Sequence, residues 1–430
     1  MNFLFVHQSF PGQYWHIVRL LRDNGHRVVF LTCPTEHQMR GVTKVEHAFN
    51  LPRDQRVHPG AQDYDVALRR ADVVAGVMAE LKQRNFRPDI ILGHHGWGDL
   101  LNVQDVWPDV PLLGYFEYYY AHEGREVGFD AEFGTGPEAK PSVRARNAIN
   151  HLALTNPGAG QCPTEFQLAT YPEAFQSKIS LIREGIDLQT FSRNEAAGQA
   201  PLDITAMIQD PAQRAAFGQV TVAPGEKLVT HVNAHLEPCR GLHIMMRALP
   251  GLLARRDVRV VIVGSETKGY GPTLADGRTW KQYFLQEMRG HYDESRVHFV
   301  GNVSYADYRN LLRRSDAHVY LTYPFVASWS LREALACGCA VIGSDTVPVR
   351  EFIRHGWNGL LTPFFNHDAL SERILELFED GWLDGHLRAN ARAFAEKHLS
   401  MAGYLSTYWA TISGLVGGAE LAAGAREAGQ

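Results

Sequence analysis

YPFVASWSLREALACGCAVIGSDTVPVRE, residues 323–351, reads as a polar loop, a helix, a tight return and a strand. The apolar run Ala317–Leu321 ends just before it and reads as another strand. The loop carries Ser328, the helix starts near Ser330 and ends by Cys337, and Ala340–Gly343 follows as the next strand. Strand, loop, helix and strand in that order form a unit of parallel sheet. The first N–H groups of such a helix lack acceptors within it, and its dipole favours negative charge there, so the loop is suited to phosphate. Ser330 and Glu333 also fit the S-x-x-E capping box, which needs no ligand.

The alternation continues on the N-terminal side. Leu228–Val232, Val258–Val263 and Val297–Val300 read as strands. Leu242–Leu253, Trp280–His291 and Tyr305–Arg314 read as helices by the spacing of their apolar residues. A first series precedes these. Phe3–Val6, Arg27–Leu31, Ile90–Leu92, Leu112–Phe116, Leu152–Leu154 and Ile179–Ile182 read as strands, with helices over Tyr14–Arg22 and Asp65–Lys82. The expected class is therefore α/β, with two doubly wound Rossmann-like domains. Ligands bind outside the carboxyl ends of such strands, so a cleft between two facing sheets is expected. The predicted division is an N-terminal domain over 1–190, a connection over 191–226 and a second domain over 227–384. Helices over 385–416, expected to pack back on the N-terminal domain, and a frayed tail over 417–430 follow.

The length of 430 residues agrees with two domains, since one core rarely grows beyond about 250–300 residues. A formal net charge of -5 argues against a nucleic-acid partner. No run reaches the ~20 apolar residues of a membrane span, and the N-terminus lacks the basic and apolar regions of a signal peptide. Lys44, Arg53 and Arg56 leave a weak peripheral membrane contact open. Five scattered cysteines suggest a reduced, cytoplasmic protein without disulfides. The one D-x-D string, Asp63-Tyr64-Asp65, opens a polar helix, where capping is its expected role. No metal and no cofactor are expected.

The 323–351 segment resembles the donor-binding signature of family-4 retaining glycosyltransferases of the GT-B fold, in particular a bacterial subgroup. Glu333, Ala334, Ala336, Gly338 and Glu351 match that signature, and His355–Leu361 (HGWNGLL) matches its G-x-N-G-x-L element. The resemblance implies that Glu333 binds the ribose hydroxyls of a nucleotide-sugar. The family's other Glu, which holds the sugar, is Phe325 here, leaving the backbone of Val326, Ala327, Ser328 and Trp329, with Ser330, to hold the donor. His231–Leu242 (HVNAHLEPCRGL) resembles the turn whose Arg and Lys clamp the diphosphate; Arg240 stands for the Lys and His235 for the Arg. For both, a purely structural role stays open. Val260–Gly264 resembles the strand and turn lining the donor site. Val297–Tyr305, with Gly301, Asn302 and Val303, resembles the loop that contacts the nucleobase.

The same resemblance assigns acceptor binding to the N-terminal half. Gly12 and Gln13 lie in the loop after the first strand, and His94, His95 and Trp97 follow a later one. His94 is either a substrate ligand or a structural histidine. Glu117 stands where the family has a His facing the reacting sugar, and either touches substrate or pairs with a neighbour; Tyr118 either stacks on substrate or fills a buried patch. The implied activity is a retaining, metal-independent hexosyl transfer from a UDP- or GDP-linked sugar to a hydroxyl acceptor in glycan, glycolipid or natural-product synthesis, with Glu117, His94 and Arg240 as catalytic candidates. Non-catalytic binding of nucleotide-sugars and epimerisation on the same fold are the alternatives. No oligomeric state is readable.

Overall fold

The computed structural model describes residues 1–48, 56–133, 139–156, 158–194 and 200–417. Arg53 and the tail from 418 to 430, on which two of the expectations above fall, lie outside them. Among the described residues the chain forms two compact units. One is built from 1–124, 139–185 and 401–417, the other from 125–133 and 186–400.

The first unit holds a seven-stranded parallel sheet. Its strands are β1 (Asn2–Val6), β2 (Arg27–Thr32), β3 (Val42–Glu46), β4 (Ile90–His94), β5 (Leu112–Tyr115), β6 (Ala159–Cys162) and β7 (Ile179–Leu181). They lie in the order β3-β2-β1-β4-β5-β6-β7. Strand side chains alternate between faces, and β1 shows both. Phe3 and Phe5 enter a core with Tyr14, Ile17 and Leu21, whereas Leu4 and Val6 enter another with Val74, Met78 and Trp107. Sheets covered on both faces have near-continuous apolar strands, which is why β1, β2 and β4 stand out in the sequence.

Two expectations fail in this unit. β3 was not anticipated, because this edge strand alternates intermediate and exposed residues and has no apolar run. Leu152–Leu154 is not a strand but the end of the helix Ala139–Thr155, and the strand is β6 instead. Ala153 and Leu154 pack on Phe116 from the helix. A short apolar run does not distinguish the two states. β6 is built of small and polar residues because Gly160 leaves room for the Phe116 ring, which a Cβ there would meet at 2.8 Å.

The second unit contains a short antiparallel strand pair, β8 (Leu202–Asp203) and β9 (Thr221–Val222). Its parallel sheet contains β10 (Lys227–His235), β11 (Val258–Ser265), β12 (Val297–Phe299), β13 (Ala317–Tyr320), β14 (Val341–Ser344) and β15 (Leu360–Thr362). The order is β12-β11-β10-β13-β14-β15. The segment read as a connection is part of this unit: Ile204, Met207, Ile208 and Val222 are buried in its core. Their apolar residues are too irregularly spaced to announce themselves. The helix Gly381–His398 adds Ala391 and Ala395 to the same core. Only the following helix, Met401–Leu415, belongs to the first unit, where Tyr404, Tyr408 and Ile412 enter the core and Gln161 Nε2 donates to Tyr408 Oη at 2.9 Å.

All five cysteines are free thiols. No described helix is long and apolar enough to cross a membrane. Lys44 is not an open basic residue, since its Nζ donates to Thr35 O and His37 O and pairs with Glu46 at 2.7 Å.

Several core histidines are held neutral. Burial pushes His95 and His318 down to about 3, and His231 to about 4. An unfolded chain binds a proton at these sites near pH 6.5 while the folded chain does not, so stability falls as pH drops from 6.5 towards 4. The cost is on the order of 1–2 kcal/mol per histidine at pH 5. Urea midpoints at pH 7.5 and 5.0 check this: the lower pH should give a clearly lower midpoint.

Candidate functional site

In the second unit, β10 ends in a turn that places Arg240 beside the loop after β13. Gly241 makes the turn possible: its φ is +73°, and a Cβ there would meet Leu321 Cβ at 2.3 Å. Arg240 is only 7% exposed. Its Nη1 donates to Thr322 Oγ1 at 2.9 Å and to Val326 O at 2.8 Å. The guanidinium also lies 5.4 Å from the Tyr270 ring and 5.6 Å from the Phe325 ring. Among the described residues no carboxylate reaches it at ion-pairing distance. Its hydrogen-bond acceptors are uncharged, and an anion bound beside it would supply a direct counter-charge.

Glu333 sits on the helix Trp329–Ala336 and is buried. Its two carboxylate oxygens accept from Tyr305 Oη at 2.5 Å and Tyr308 Oη at 2.9 Å. Burial pushes its carboxyl up, against the opposing effect of the two hydroxyls. The capping box is not formed. Ser328 precedes the helix without a side-chain cap, and Ser328 Oγ bonds Ser330 Oγ instead. The Ser328 N–H is given to Tyr320 Oη at 2.7 Å, which fixes the loop on β13. Ala327 is buried, and Trp329 is 40% exposed.

The other donor-side candidates line strand ends of the same sheet. His235 Nδ1 shares a hydrogen bond with Thr267 Oγ1 at 3.2 Å. Gly264 N–H donates to Gly301 O at 3.0 Å, joining the loops after β11 and β12. Asn302 is exposed and Val303 packs on the core.

In the first unit the loops after β1, β4 and β5 bring His7, His94 and Glu117 together. His94 is buried with its Nε2 3.5 Å from Glu117 Oε2. The Gly96 N–H donates to His94 Nδ1 at 2.9 Å, so a neutral His94 carries its hydrogen on Nε2, facing the carboxylate. Trp97 stacks on the His94 ring at 4.0 Å. His7 packs edge-on to both, 5.7 Å from His94 and 5.0 Å from Trp97. Burial, then the neighbouring His94, pushes His7 down to about 4. Gly12 lies against the His7 ring, where a Cβ would come within 2.7 Å, and Gln13 is partly buried in the same loop. His7 was not singled out in the sequence; its place directly after β1 was the available signal.

Two acceptor candidates lie inside the unit. His95 is 2% exposed and packs on Phe116, and Tyr118 is 3% exposed between Tyr120 and Phe166. Both side chains are buried in these ring contacts. Asp63 and Asp65 do not cap their helix either: they pair with Arg146 and Arg69, both at 2.9 Å. Among the described residues no three His, Cys, Asp or Glu side chains gather as a metal site.

Two family models match in series, "Glycosyl transferase family 4 group" over residues 24–191 and "Glycosyl transferases group 1" over 213–397. The chain belongs to the family-4-like glycosyltransferases of the GT-B fold. It is 28% identical to a phosphatidyl-myo-inositol mannosyltransferase of Mycolicibacterium smegmatis, over 44% of this chain and 46% of that protein. It is 26% identical to a D-inositol 3-phosphate glycosyltransferase of Mycobacterium sp., over 72% of this chain and 63% of that protein. The matches thus span less than two thirds of either relative. The structure of Anabaena HepE in complex with UDP-glucose has the same fold, with a TM-score of 0.66 and 17% identity over 96% of this chain and 100% of that one. WaaG, a glycosyltransferase involved in lipopolysaccharide biosynthesis, gives a TM-score of 0.65 and 15% identity over 97% and 100%.

Within this glycosyltransferase fold, the tyrosines at 305 and 308 were the partners that the sequence did not disclose for Glu333. Glu333→Ala would leave the buried Tyr308 hydroxyl without its acceptor, and should cost about 1–3 kcal/mol in urea unfolding. Gly114→Ala should also destabilise, by about 1–3 kcal/mol or more, because the new Cβ would meet His95 Nε2 at 2.0 Å. A wild-type midpoint in the Gly114 variant would show that His95 has freedom to move out of the core.

Proposed function

We propose that this chain transfers a hexosyl group from a nucleotide-diphospho-sugar to a hydroxyl acceptor, with retention at the anomeric carbon. The observation that carries the reading is Arg240, a buried guanidinium with no carboxylate partner among the described residues, held beside the start of the helix Trp329–Ala336. The N–H groups of Ser330 and Leu331 open that helix and have no acceptor one turn back within it. Arg240 and this helix start stabilise the negative charge that develops on the departing diphosphate, which is the main requirement of such a step. Glu333 is the ribose ligand in this reading, with Tyr305 and Tyr308 yielding or sharing its oxygens. The complex of Anabaena HepE with UDP-glucose supports a nucleotide-sugar donor. The relatives named for phosphatidyl-myo-inositol and inositol 3-phosphate support a polyhydroxylated acceptor.

In the first unit, Glu117 takes the acceptor side. His94 Nε2–H holds one carboxylate oxygen in place, and the other accepts a hydrogen bond from the attacking hydroxyl. A carboxylate so oriented is suited to aid proton removal. Gly12, Gln13 and Trp97 line the same group of loops. The transfer in this reading needs no metal and no cofactor, and takes place in the cytoplasm.

Two variants test the reading. Arg240→Ala should weaken UDP or GDP about 10- to 100-fold in calorimetric titrations and leave the corresponding nucleoside nearly unaffected. Equal losses on both ligands would remove Arg240 from the diphosphate. Glu117→Gln should bind the nucleoside diphosphate as wild type does, yet turn over about 10²-fold more slowly. Wild-type turnover in that variant would make Glu117 a structural residue.

A further inference from the structure

Residues 125–133 follow the first unit's Gly124 in sequence but form part of the second unit. This strap is anchored by side chains along its length. The Phe129 ring packs on Tyr323 at 5.2 Å and on Phe364 at 5.5 Å. Phe133 packs on His243 and Trp280, at 5.4 and 5.1 Å. Glu132 accepts two bonds from Arg247, at 2.6 and 2.7 Å.

Asp130 lies at the centre of the strap and is 3% exposed. Its Oδ1 accepts the N–H groups of Glu132 and Phe133, at 2.8 and 3.3 Å. Its Oδ2 accepts from Tyr323 Oη at 2.5 Å and stands 3.3 Å from His243 Nε2. Burial works to raise the Asp130 carboxyl, but the contacts with His243, Tyr323 and the Glu132 N–H outweigh it and hold the group ionised.

Tyr323 connects this carboxylate to Arg240. The Tyr323 N–H donates to Cys239 O, the carbonyl next to Arg240, at 3.0 Å. Thr322, its other neighbour, accepts from the guanidinium. The Phe325 N–H donates back to Tyr323 O at 2.6 Å, and the Phe325 ring lies over Arg240. Asp130 therefore touches no residue assigned to the diphosphate, yet it fixes the side chain on which their loop turns.

We propose that Asp130, supplied by the strap, is a positioning residue that sets the 322–328 loop and the Arg240 guanidinium for a nucleoside diphosphate. The inference rests on the donor-binding reading of Arg240 given above. Removing the hydrogen bond from either end releases the loop without altering any group at the ligand. The Asp130→Asn and Tyr323→Phe variants and their combination test this, with two readouts. The first is affinity for UDP, GDP and the two nucleosides by calorimetry. The second is amide exchange of residues 322–328 without ligand.

Both single variants should weaken the nucleoside diphosphate about five- to tenfold while leaving the nucleoside within twofold. The double variant should be no weaker than the poorer single one, since both break the same bond. Exchange over 322–328 should be faster in all three. Tyr323→Phe removes one hydroxyl and retains the ring, so it keeps the test valid if Asp130→Asn fails to fold. Wild-type diphosphate affinity and wild-type exchange in folded Tyr323→Phe would overturn the proposal and leave the donor-binding reading standing. Equal losses for diphosphate and nucleoside would overturn it as well, by showing a general loosening. If the wild-type protein bound neither UDP nor GDP, the donor-binding reading would fall and take the ligand part of the proposal with it.

Discussion

Parallel strand pairing is the constraint on which the arrangement of both units depends. Every pair in the two large sheets is parallel. A parallel pair cannot be joined by a tight turn, so each strand is followed by a crossover, and the loops that leave the strands gather at one edge. That edge carries His7, His94 and Glu117 in the first unit. In the second it carries His235, Gly264, Gly301 and the loop from Thr322 to Ser328. Residues far apart in sequence thus come together without any local signal that they should.

The same constraint explains why so many polar groups are buried. Strands covered on both faces leave little polar surface, so many polar side chains near strand ends find partners inside the protein. Thr230 bonds both Ser315 and His318; Asn233 bonds His231; Glu333 is met by two tyrosines. The acceptors of Arg240 are a hydroxyl and a carbonyl, neither of them charged.

The strap adds a second level. A segment that lies between β5 and the helix Ala139–Thr155 in sequence supplies an ionised carboxylate to the other unit. Its aromatic residues are half-buried against that unit, and Arg247 is shared between Glu132 of the strap and Glu287 of the unit's own helix. Packing and charge therefore both favour its position.

The amino-acid sequence alone determined the alternation of strands and helices, the two-sheet class, and the order of the motifs that resemble a donor site. The helices Leu242–Leu253 and Tyr305–Arg314 carry their apolar spacing openly, and β1, β2, β4 and β11 are apolar runs because their surroundings are apolar on both sides. Local pattern did not reach further. It missed β3, whose edge position removes the apolar run, and mistook Leu152–Leu154 for a strand, since three apolar residues fit either state. It could not tell that His95 and Tyr118 point inward, that Glu333 faces two tyrosines rather than capping its helix, or that residues 125–133 serve the second unit. Each of these depends on contacts between side chains distant in the chain. Periodicity encodes which face of an element is apolar, whereas the tertiary packing decides what that face, and each polar group beside it, will meet.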